Sequence, residues 1–256
     1  MAQERKGEFV QSLERGIAVL RAFDEQRPAM TLADAAKATG LTRATARRLL
    51  HTLVEMGYVS TDGKYFELTP KMLDLGYAYL SSLQISDIAQ PFMERLSEQV
   101  HESVSAAVLD GAQVVYVARV NTQRIMTISL SIGSRLPALW TSMGRVIVAN
   151  LPDEEVESLL ADELLRPPTP KALATPSELR AELASIRQQG YALLDQELEE
   201  GVRSVAAPLR DRSGKVLAGM NVSTHAGRVT LKELRGEILP LLLETAAEIS
   251  GRLAKR

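Results

Sequence analysis

Residues 31–56 read TLADAAKATGLTRATARRLLHTLVEM, a pattern of two short helices joined by a tight turn. On the first helix, Leu32, Ala35 and Ala36 recur at helical spacing and form one apolar stripe. Gly40 then supplies the backbone freedom that a sharp turn requires. The stretch therefore predicts a helix-turn-helix.

The second of these helices combines an apolar face with a basic face. Apolar residues recur at helical spacing from Ala46 to Leu53, while the remaining positions carry three arginines and no carboxylate before Glu55. Small residues between arginines let a helix enter the major groove, where guanidinium groups reach guanine edges or phosphates. The pattern favours a DNA-reading helix, although a packed helical hairpin with a solvated basic face would show the same spacing.

The residues on either side favour the DNA-binding interpretation. Asp62-Gly63 is a strong signal for a two-residue hairpin turn, and it separates two strand-like segments, 58–60 and 64–68. Upstream, three apolar residues predict a further helix that closes a small core: Leu13, Ile17 and Leu20. Three helices and a basic-tipped hairpin make up a winged helix-turn-helix. The residues expected to contact DNA are Thr31, Thr42, Arg43, Ala44, Thr45, Arg47, Arg48, His51 and Lys64.

Composition limits the class of protein. The chain has 256 residues, a formal net charge of −2 and no cysteine, which excludes disulfides and thiolate metal sites. The near-neutral charge argues against indiscriminate coating of nucleic acid, but not against a local basic patch. No apolar run reaches membrane-spanning length and the N-terminus lacks the apolar core of a signal peptide. We therefore expect a cytoplasmic protein with no membrane partner.

The second half of the chain predicts an α+β domain. Its strand-like segments form antiparallel hairpins with helices at both ends, which differs from a doubly wound sheet. The expected strands are 103–109, 114–120, 125–130, 202–209 and 216–223, and 133–137 is expected to be irregular. The predicted domains are a winged helix-turn-helix at 8–69, a linker helix at 70–86 and a ligand-binding domain at 87–256.

A catalytic role is not predicted. The three histidines lie in different elements, and no hydrolase, metalloprotease or nucleotide-binding motif is present. The acidic run 195–200 is interpreted as a solvated loop and not as a metal site. We assign no catalytic residue, no metal ligand and no cofactor.

A binding pocket is the more plausible feature of the second domain. Residues 140–144, WTSMG, fall where a loop meets a helix, and the free amides of a helix start favour an anion such as a carboxylate. Arg124 and Arg135 are candidate counter-charges, while Trp140, Met126 and Met143 could pack against an apolar body. The alternative is that the methionines fill the core and the arginines form surface ion pairs.

The chain resembles the IclR family of bacterial transcriptional regulators over nearly its whole length. The resemblance is carried by SLERGIAVLRAF, by LADAAKATGLTRATARRLLHTL, by GYALLDQELEEGVRSVAAPLRDRSGKV and by NVSTHAGRV. It implies an N-terminal winged helix-turn-helix, a linker helix and a C-terminal effector domain with a GAF-like antiparallel sheet. It also implies operator DNA as a partner and a homodimer or a dimer of dimers, and it leaves RNA polymerase as a further candidate partner.

A narrower resemblance concerns regulators of the β-ketoadipate pathway of aromatic-acid catabolism. It is carried by DIAQPFMERL, VLDGAQVVYVARV, TSMGRVIVANL and DQELEEGVRS, and it implies protocatechuate, 4-hydroxybenzoate or β-ketoadipate as effector. In the wider family, backbone amides after a threonine and small polar side chains on the last strands hold the effector. The matching positions are Thr141, Ser142, Met143, Ser204, Asn221 and Ser223. Leu194 stands where family members often carry an acidic residue, which favours an aromatic or longer acid.

Several alternatives remain open at this point. The effector could be another acid, such as glyoxylate or a sugar acid. The chain could also be a metabolite-binding protein whose helical N-terminus serves only for dimerisation, or an enzyme acting on a small acid, although no nucleophile or base recommends the last. The sequence does not determine whether the protein activates or represses, nor its operator.

Overall fold

The computed structural model describes residues 9–83, 85–122, 130–161 and 165–255. The chain divides into two compact units, Met1–Tyr79 and Leu80–Arg256. Each unit has its own hydrophobic core, and the two are described separately below.

The N-terminal unit is a winged helix-turn-helix, as predicted. Its elements are α1 Gln11–Arg21, β1 Ala29–Thr31, α2 Leu32–Thr39, α3 Arg43–Glu55, β2 Val59–Thr61 and β3 Tyr65–Leu68. The three strands form an antiparallel sheet in the order β1-β3-β2. The hairpin β2–β3 is the predicted wing, whereas the short strand β1 was not predicted.

Local capping explains where the two central helices begin and end. Thr31 accepts a hydrogen bond from the backbone of Asp34, whose carboxylate in turn accepts from the Thr31 amide, so a complete capping box starts α2. Gly40 ends α2 with φ 66°, a left-handed conformation that glycine adopts without strain. The Thr42 side chain then caps α3 by accepting from the amide of Thr45.

The face that α1 turns to the core differs from the predicted one. Leu13 and Ile17 are 63% and 48% exposed, whereas Val19 is fully buried. The reason is that Gly16 lies on the packing side, where an added Cβ would be 4.0 Å from Leu49, so Gly16 and Val19 bring α1 against α3. Leu20 packs partly against the same core, as expected.

The C-terminal unit is built on one six-stranded antiparallel sheet in the order β6-β5-β4-β9-β8-β7. The strands are β4 Ser103–Asp110, β5 Gln113–Val120, β6 Arg135–Pro137, β7 Ala192–Asp195, β8 Val202–Arg210 and β9 Val216–His225. The helices are α4 Met72–Leu83, which contains the boundary between the units, α5 Ile85–Val100, α6 Ser142–Val148, α7 Asp153–Leu160, α8 Pro176–Gln189, α9 Leu231–Glu233 and α10 Leu239–Leu253.

The sheet of the C-terminal unit has helices on both faces. One core lies between the sheet and the pair α5 and α10. A second core lies between the other face of the sheet and the group α6, α7 and α8. The domain is therefore α+β with a three-layer arrangement, and the antiparallel sheet agrees with the predicted class.

Three details of this domain differ from the sequence-based expectation or lie beyond it. The segment expected to be irregular, 133–137, contains β6, which pairs with the start of β5. Strand β7 was not predicted, although it pairs with β8 over its whole length. The strand predicted at 125–130 lies outside the described residues except for Leu130.

Candidate functional site

The exposed face of α3 carries three arginines. Arg43, Arg47 and Arg48 are exposed, and within the part of the chain that the structure describes none of them forms an ion pair. A shallow surface groove on this face is lined by Ala44, Arg47, Arg48, His51, Thr52 and Glu55. The face therefore offers positive charge without internal partners, which suits an external polyanion.

The threonines predicted to touch DNA are already engaged in local hydrogen bonds. The hydroxyl groups of Thr42 and Thr45 lie 2.9 Å apart at the start of α3. The Thr31 hydroxyl donates to the Asp34 carboxylate at 2.7 Å, and this bond lowers the pKa of Asp34. These three side chains therefore shape the helix starts, where they lie at the surface of the unit.

The tip of the wing is fixed by the Asp62 carboxylate. It accepts hydrogen bonds from the backbone amides of Tyr65 and Lys64 at 2.7 and 2.8 Å, which lower its pKa. The Lys64 ammonium lies 5.0 Å from the centre of the Tyr65 ring. On α3, His51 contacts the Phe66 ring edge-on at 6.0 Å, so its exposed imidazole is oriented by the wing strand.

The C-terminal unit contains a cavity of about 340 Å³ between the sheet and the start of α6. Most of the residues predicted to bind an effector line it: Trp140, Thr141, Ser142, Leu194, Ser204, Asn221 and Ser223. Lining residues that the sequence did not single out are Tyr116, Leu130, Leu136, Glu197, Leu198, Glu199 and Val202.

Sheet register explains why the polar residues of this cavity converge. Ser223 pairs with Ser103 on one side and Ser204 on the other. Directly opposed residues of an antiparallel sheet project to the same face, so these side chains form a polar row. Asn221, two residues earlier on β9, lies on that face as well, and its amide nitrogen donates to the Ser223 hydroxyl at 3.0 Å.

Two buried polar atoms at the cavity lack a partner. Ser142 Oγ and Asn221 Oδ1 make no hydrogen bond within the described residues, and these residues are only 1% and 4% exposed. An unpaired buried polar atom costs about 1–3 kcal/mol. A ligand that hydrogen-bonds to both atoms would recover this free energy.

The first turn of α6 adds amide donors at the same place. The Thr141 hydroxyl accepts from the Gly144 amide at 3.1 Å and so caps the helix. The amides of Ser142 and Met143 find no acceptor in the described part of the chain. The unpaired hydroxyl of Ser142 is therefore accompanied by two free N–H groups.

A buried ion pair between Arg145 and Glu197 supports the cavity wall. Arg145 is fully buried, its Nε donates to the Leu139 carbonyl at 2.6 Å, and both of its Nη atoms donate to the Glu197 carboxylate. Glu197 also accepts from the Leu173 amide at 3.3 Å. The interpretation of 195–200 as a solvated loop is thus wrong for Glu197, whose side chain is largely buried against Arg145. The sequence could not show this, because Arg145 lies far away along the chain.

Asp195, at the start of the same segment, is also paired. Burial by itself would raise its pKa, but hydrogen bonds from Arg203 and Gln196 outweigh this effect and lower the pKa below its ordinary value. Arg203 also donates to the carbonyl groups of Ala226 and Val229, at 3.0 and 2.8 Å. This part of the acidic run therefore ties β7 to the end of β9.

Tyr116, which lines the cavity, carries a neutral hydroxyl group. Burial raises the pKa of Tyr116 to about 12, against the opposing attraction of Arg119. The phenol is therefore protonated at neutral pH and can donate a hydrogen bond. Tyr116 lies on a strand that the sequence located correctly, but the face it projects to depends on the pairing of β5 with β4.

Among the described residues, the side chains of Arg135 and Met143 do not line the cavity. Arg135 donates to the side chains of Gln113 and Asp110, at 2.7 and 2.6 Å, so it forms a surface ion pair. The Met143 side chain is fully buried in the core beside β9, because α6 approaches Gly219 closely there. Arg124 and Met126 lie outside the described residues.

A winged helix-turn-helix in one unit and a polar cavity in the other are the parts of a transcription regulator that responds to a small molecule. The IclR helix-turn-helix domain matches residues 12–63, and the C-terminal domain of the bacterial transcriptional regulator IclR matches residues 77–251. The chain belongs to the IclR family of bacterial transcriptional regulators.

Similar proteins include regulators of the Pca regulon and of p-hydroxybenzoate hydroxylase. The Pca regulon regulatory protein of Pseudomonas putida is 44% identical over 96% of this chain and 85% of its own length. The p-hydroxybenzoate hydroxylase transcriptional activator of Acinetobacter baylyi is 34% identical over 96% of this chain and 92% of its own length. An IclR homologue of Microbacterium hydrocarbonoxydans, solved with 4-hydroxybenzoate, is 25% identical, with a TM-score of 0.85 over 94% of this chain and 98% of that one.

Two further features concern the described residues as a whole. None of their helices is both long and apolar enough to span a membrane. They also contain no group of three or more His, Cys, Asp or Glu side chains that could hold a metal ion.

Proposed function

We propose that this regulator binds operator DNA through α3 and the wing, and that a small carboxylic acid of aromatic-acid catabolism binds in the cavity and changes this DNA affinity. The observation that carries the effector proposal is the pair of unpartnered buried atoms, Ser142 Oγ and Asn221 Oδ1. We propose that the protein binds the acid without turning it over, and that it acts on DNA in the cytoplasm.

On the DNA side, Arg43 and Arg47 are proposed to reach base edges in the major groove. Thr42, Ala44, Thr45 and Arg48 would contact DNA at the start and side of α3. Thr31, His51 and Lys64 would contact the phosphate backbone. The support is the exposure of these side chains, with Thr31 and Thr45 half-buried, and the absence of ion pairs for the α3 arginines within the described residues.

On the effector side, the carboxylate is proposed to accept from the amides of Ser142 and Met143 and from the Ser142 hydroxyl. Asn221 Oδ1 would accept from a hydroxyl group of the ligand. Trp140 and Leu194 supply apolar walls, since they are 7% and 3% exposed and line the cavity. The leucine at 194 makes the pocket less polar than an acidic residue there would, which favours an aromatic or longer acid.

We further propose that the chain forms a homodimer through the N-terminal unit and the linker helix 70–86. Two such dimers can assemble into a dimer of dimers. The support is a set of exposed apolar side chains on α1, on α4 and on the two residues before α1. They are Phe9, Val10, Leu13, Ile17, Leu73, Leu75, Tyr77 and Tyr79. Large exposed apolar surfaces often mark an interface between protein chains.

Thermal unfolding of the purified chain tests the effector proposal. The ligands are protocatechuate, 4-hydroxybenzoate and β-ketoadipate, with glyoxylate and an unrelated acid as controls. A ligand at about 100 times its dissociation constant stabilises the native state by about 2.7 kcal/mol. We expect a selective rise in Tm with at least one of the first three acids, whereas a flat response to all three would overturn the proposal.

A further inference from the structure

Arg119 is a half-buried cation on β5, and the proposed function gives it no role. Its Nε donates to the Asn121 side chain at 2.5 Å and its Nη1 donates to the Ser105 hydroxyl at 3.1 Å. Both acceptors are neutral. Among the described residues, Arg119 forms no ion pair.

The charge of Arg119 is consequently uncompensated. Burial lowers the pKa of Arg119, but a guanidinium group stays protonated in proteins, so the group remains a cation. Removing a cation from water without a counter-charge is costly. The other well-buried arginines of this unit avoid the cost, because Arg145 is paired with Glu197 and Arg203 with Asp195.

Arg119 is not among the residues that line the cavity, but the register places it in one row with a lining residue, Asn221. Ser105 pairs with Arg119 on β5 and with Asn221 on β9, so the three residues form one row across the sheet. Ser105 is 1% exposed, accepts a hydrogen bond from the guanidinium, and lies directly opposite Asn221, which carries the unpartnered Oδ1 atom. Tyr116, which also lines the cavity, lies close enough to the guanidinium for Arg119 to oppose the rise in its pKa.

We propose that Arg119 is a specificity-determining residue, which neutralises an acidic group at the end of the effector remote from the first turn of α6. This inference rests on the proposed function, in which that first turn holds one carboxylate. The cavity would then have two anion-binding ends, and it would select ligands that carry oxygen acceptors at both of their ends.

The chemistry predicts a ranking of ligands. Hydrogen bonds from a guanidinium to a carboxylate are charge-assisted and are stronger than those to a neutral hydroxyl. A ligand with a second carboxylate should therefore bind most tightly, a hydroxybenzoate less tightly, and a monocarboxylate without a second polar group least tightly. Arg119 would contribute to this ranking through the second group alone.

Adipate and hexanoate provide a matched pair of probes, because both have six carbons and differ in the second carboxylate. The only tryptophan of the chain, Trp140, lines the cavity, and these aliphatic acids leave its fluorescence spectrum clear. We expect the full-length wild type to bind adipate about tenfold or more tightly than hexanoate, the size expected for one charge-assisted interaction. In Arg119→Gln the two acids should bind with equal affinity, and Arg119→Lys should fall between.

Arg135→Gln is the matched control, since Arg135 lies on the neighbouring strand but is paired with Asp110. It should keep the wild-type preference for adipate. Equal Tm values without ligand would show that each variant is folded. A wild-type protein that binds adipate no better than hexanoate, or a folded Arg119→Gln variant that keeps the preference, would overturn the role of Arg119 while leaving the cavity an acid site. Failure to bind any acid would overturn the proposed function as well.

Discussion

The arginines of α3 and Arg145 of α6 show two opposite uses of one residue type. Arg47 and Arg48 are exposed, and within the described residues they make no ion pair. Arg145 is fully buried, and Glu197 and the Leu139 carbonyl occupy its donors. An external polyanion can therefore use the first group directly, whereas the charge of the second group is already neutralised by Glu197 and serves to hold the cavity wall.

The largest expected effect concerns the buried pair. Glu197→Ala would leave the Arg145 charge buried and unpaired, which costs about 3–5 kcal/mol. We expect the free energy of unfolding of the C-terminal unit to fall by this order, as measured by chemical denaturation. Effector binding should also be lost, because Glu197 lines the cavity.

A double replacement tests whether the loss of stability comes from the unpaired charge of Arg145. Arg145→Met with Glu197→Leu removes both charges, and such replacements of buried pairs are often close to neutral for stability. The double variant should therefore be more stable than Glu197→Ala. If the single variant were as stable as the wild type, the contrast between exposed and buried arginines would be wrong for this pair.

The next effect concerns the exposed arginines. A recognition arginine that reads guanine contributes about 1–3 kcal/mol of discrimination between bases. Arg47→Ala should therefore relax the sequence preference, whereas Lys64→Ala should weaken binding to all sequences and reduce the salt slope by about one. Binding to a panel of duplexes at several salt concentrations measures both quantities. Uniform weakening by both variants would contradict the assignment of α3 to the major groove.

A smaller effect is expected for the unpaired hydroxyl of the cavity. Ser142→Ala removes a buried atom that has no hydrogen-bond partner among the described residues, so stability without ligand should be unchanged or slightly higher. Effector affinity should fall by about 1 kcal/mol, the usual contribution of one hydrogen bond. Calorimetric titration and thermal unfolding of the same samples provide the two values. A loss of stability together with unchanged affinity would mean that Ser142 is a structural residue.

The smallest effect should be confined to the N-terminal unit. Thr31→Ala breaks the capping box of α2 and should cost about 1 kcal/mol of stability. If Thr31 also contacts phosphate, operator affinity should fall by more than this loss of stability explains. Thr175→Ala is the control, because Thr175 forms the equivalent capping box on α8 of the other unit. Equal DNA binding by both variants would leave Thr31 a capping residue only.

The sequence predicted the DNA-binding unit better than the cavity, and the reason is physical. The side chains of α3 share one face of one helix, so spacing alone brings Arg43 and Arg47 together. The cavity is formed by side chains from β5, β7, β8, β9 and the start of α6. Strand positions were predictable, but the pairing that brings Tyr116 close to Asn221 depends on contacts far apart in the chain.

Burial was the least predictable property. The leucine and isoleucine spacing of α1 indicated a core face, yet Gly16 and Val19 form it and Leu13 is exposed. The acidic run indicated a solvated loop, yet Glu197 is covered by a partner 52 residues earlier in the chain. In both cases the pattern described one element correctly, and the packing of a distant element decided the outcome.

The most direct test of the account is whether an acid in the cavity changes the affinity for DNA. A duplex selected by the wild type from a random-sequence library would serve as operator. Its dissociation constant would be measured with and without the acid that gives the largest thermal shift. Coupling free energies between two sites are typically about 1–3 kcal/mol, so we predict a change of about 5- to 150-fold in the wild type and a smaller one in Ser142→Ala. A dissociation constant that stays the same although the acid binds would contradict the account.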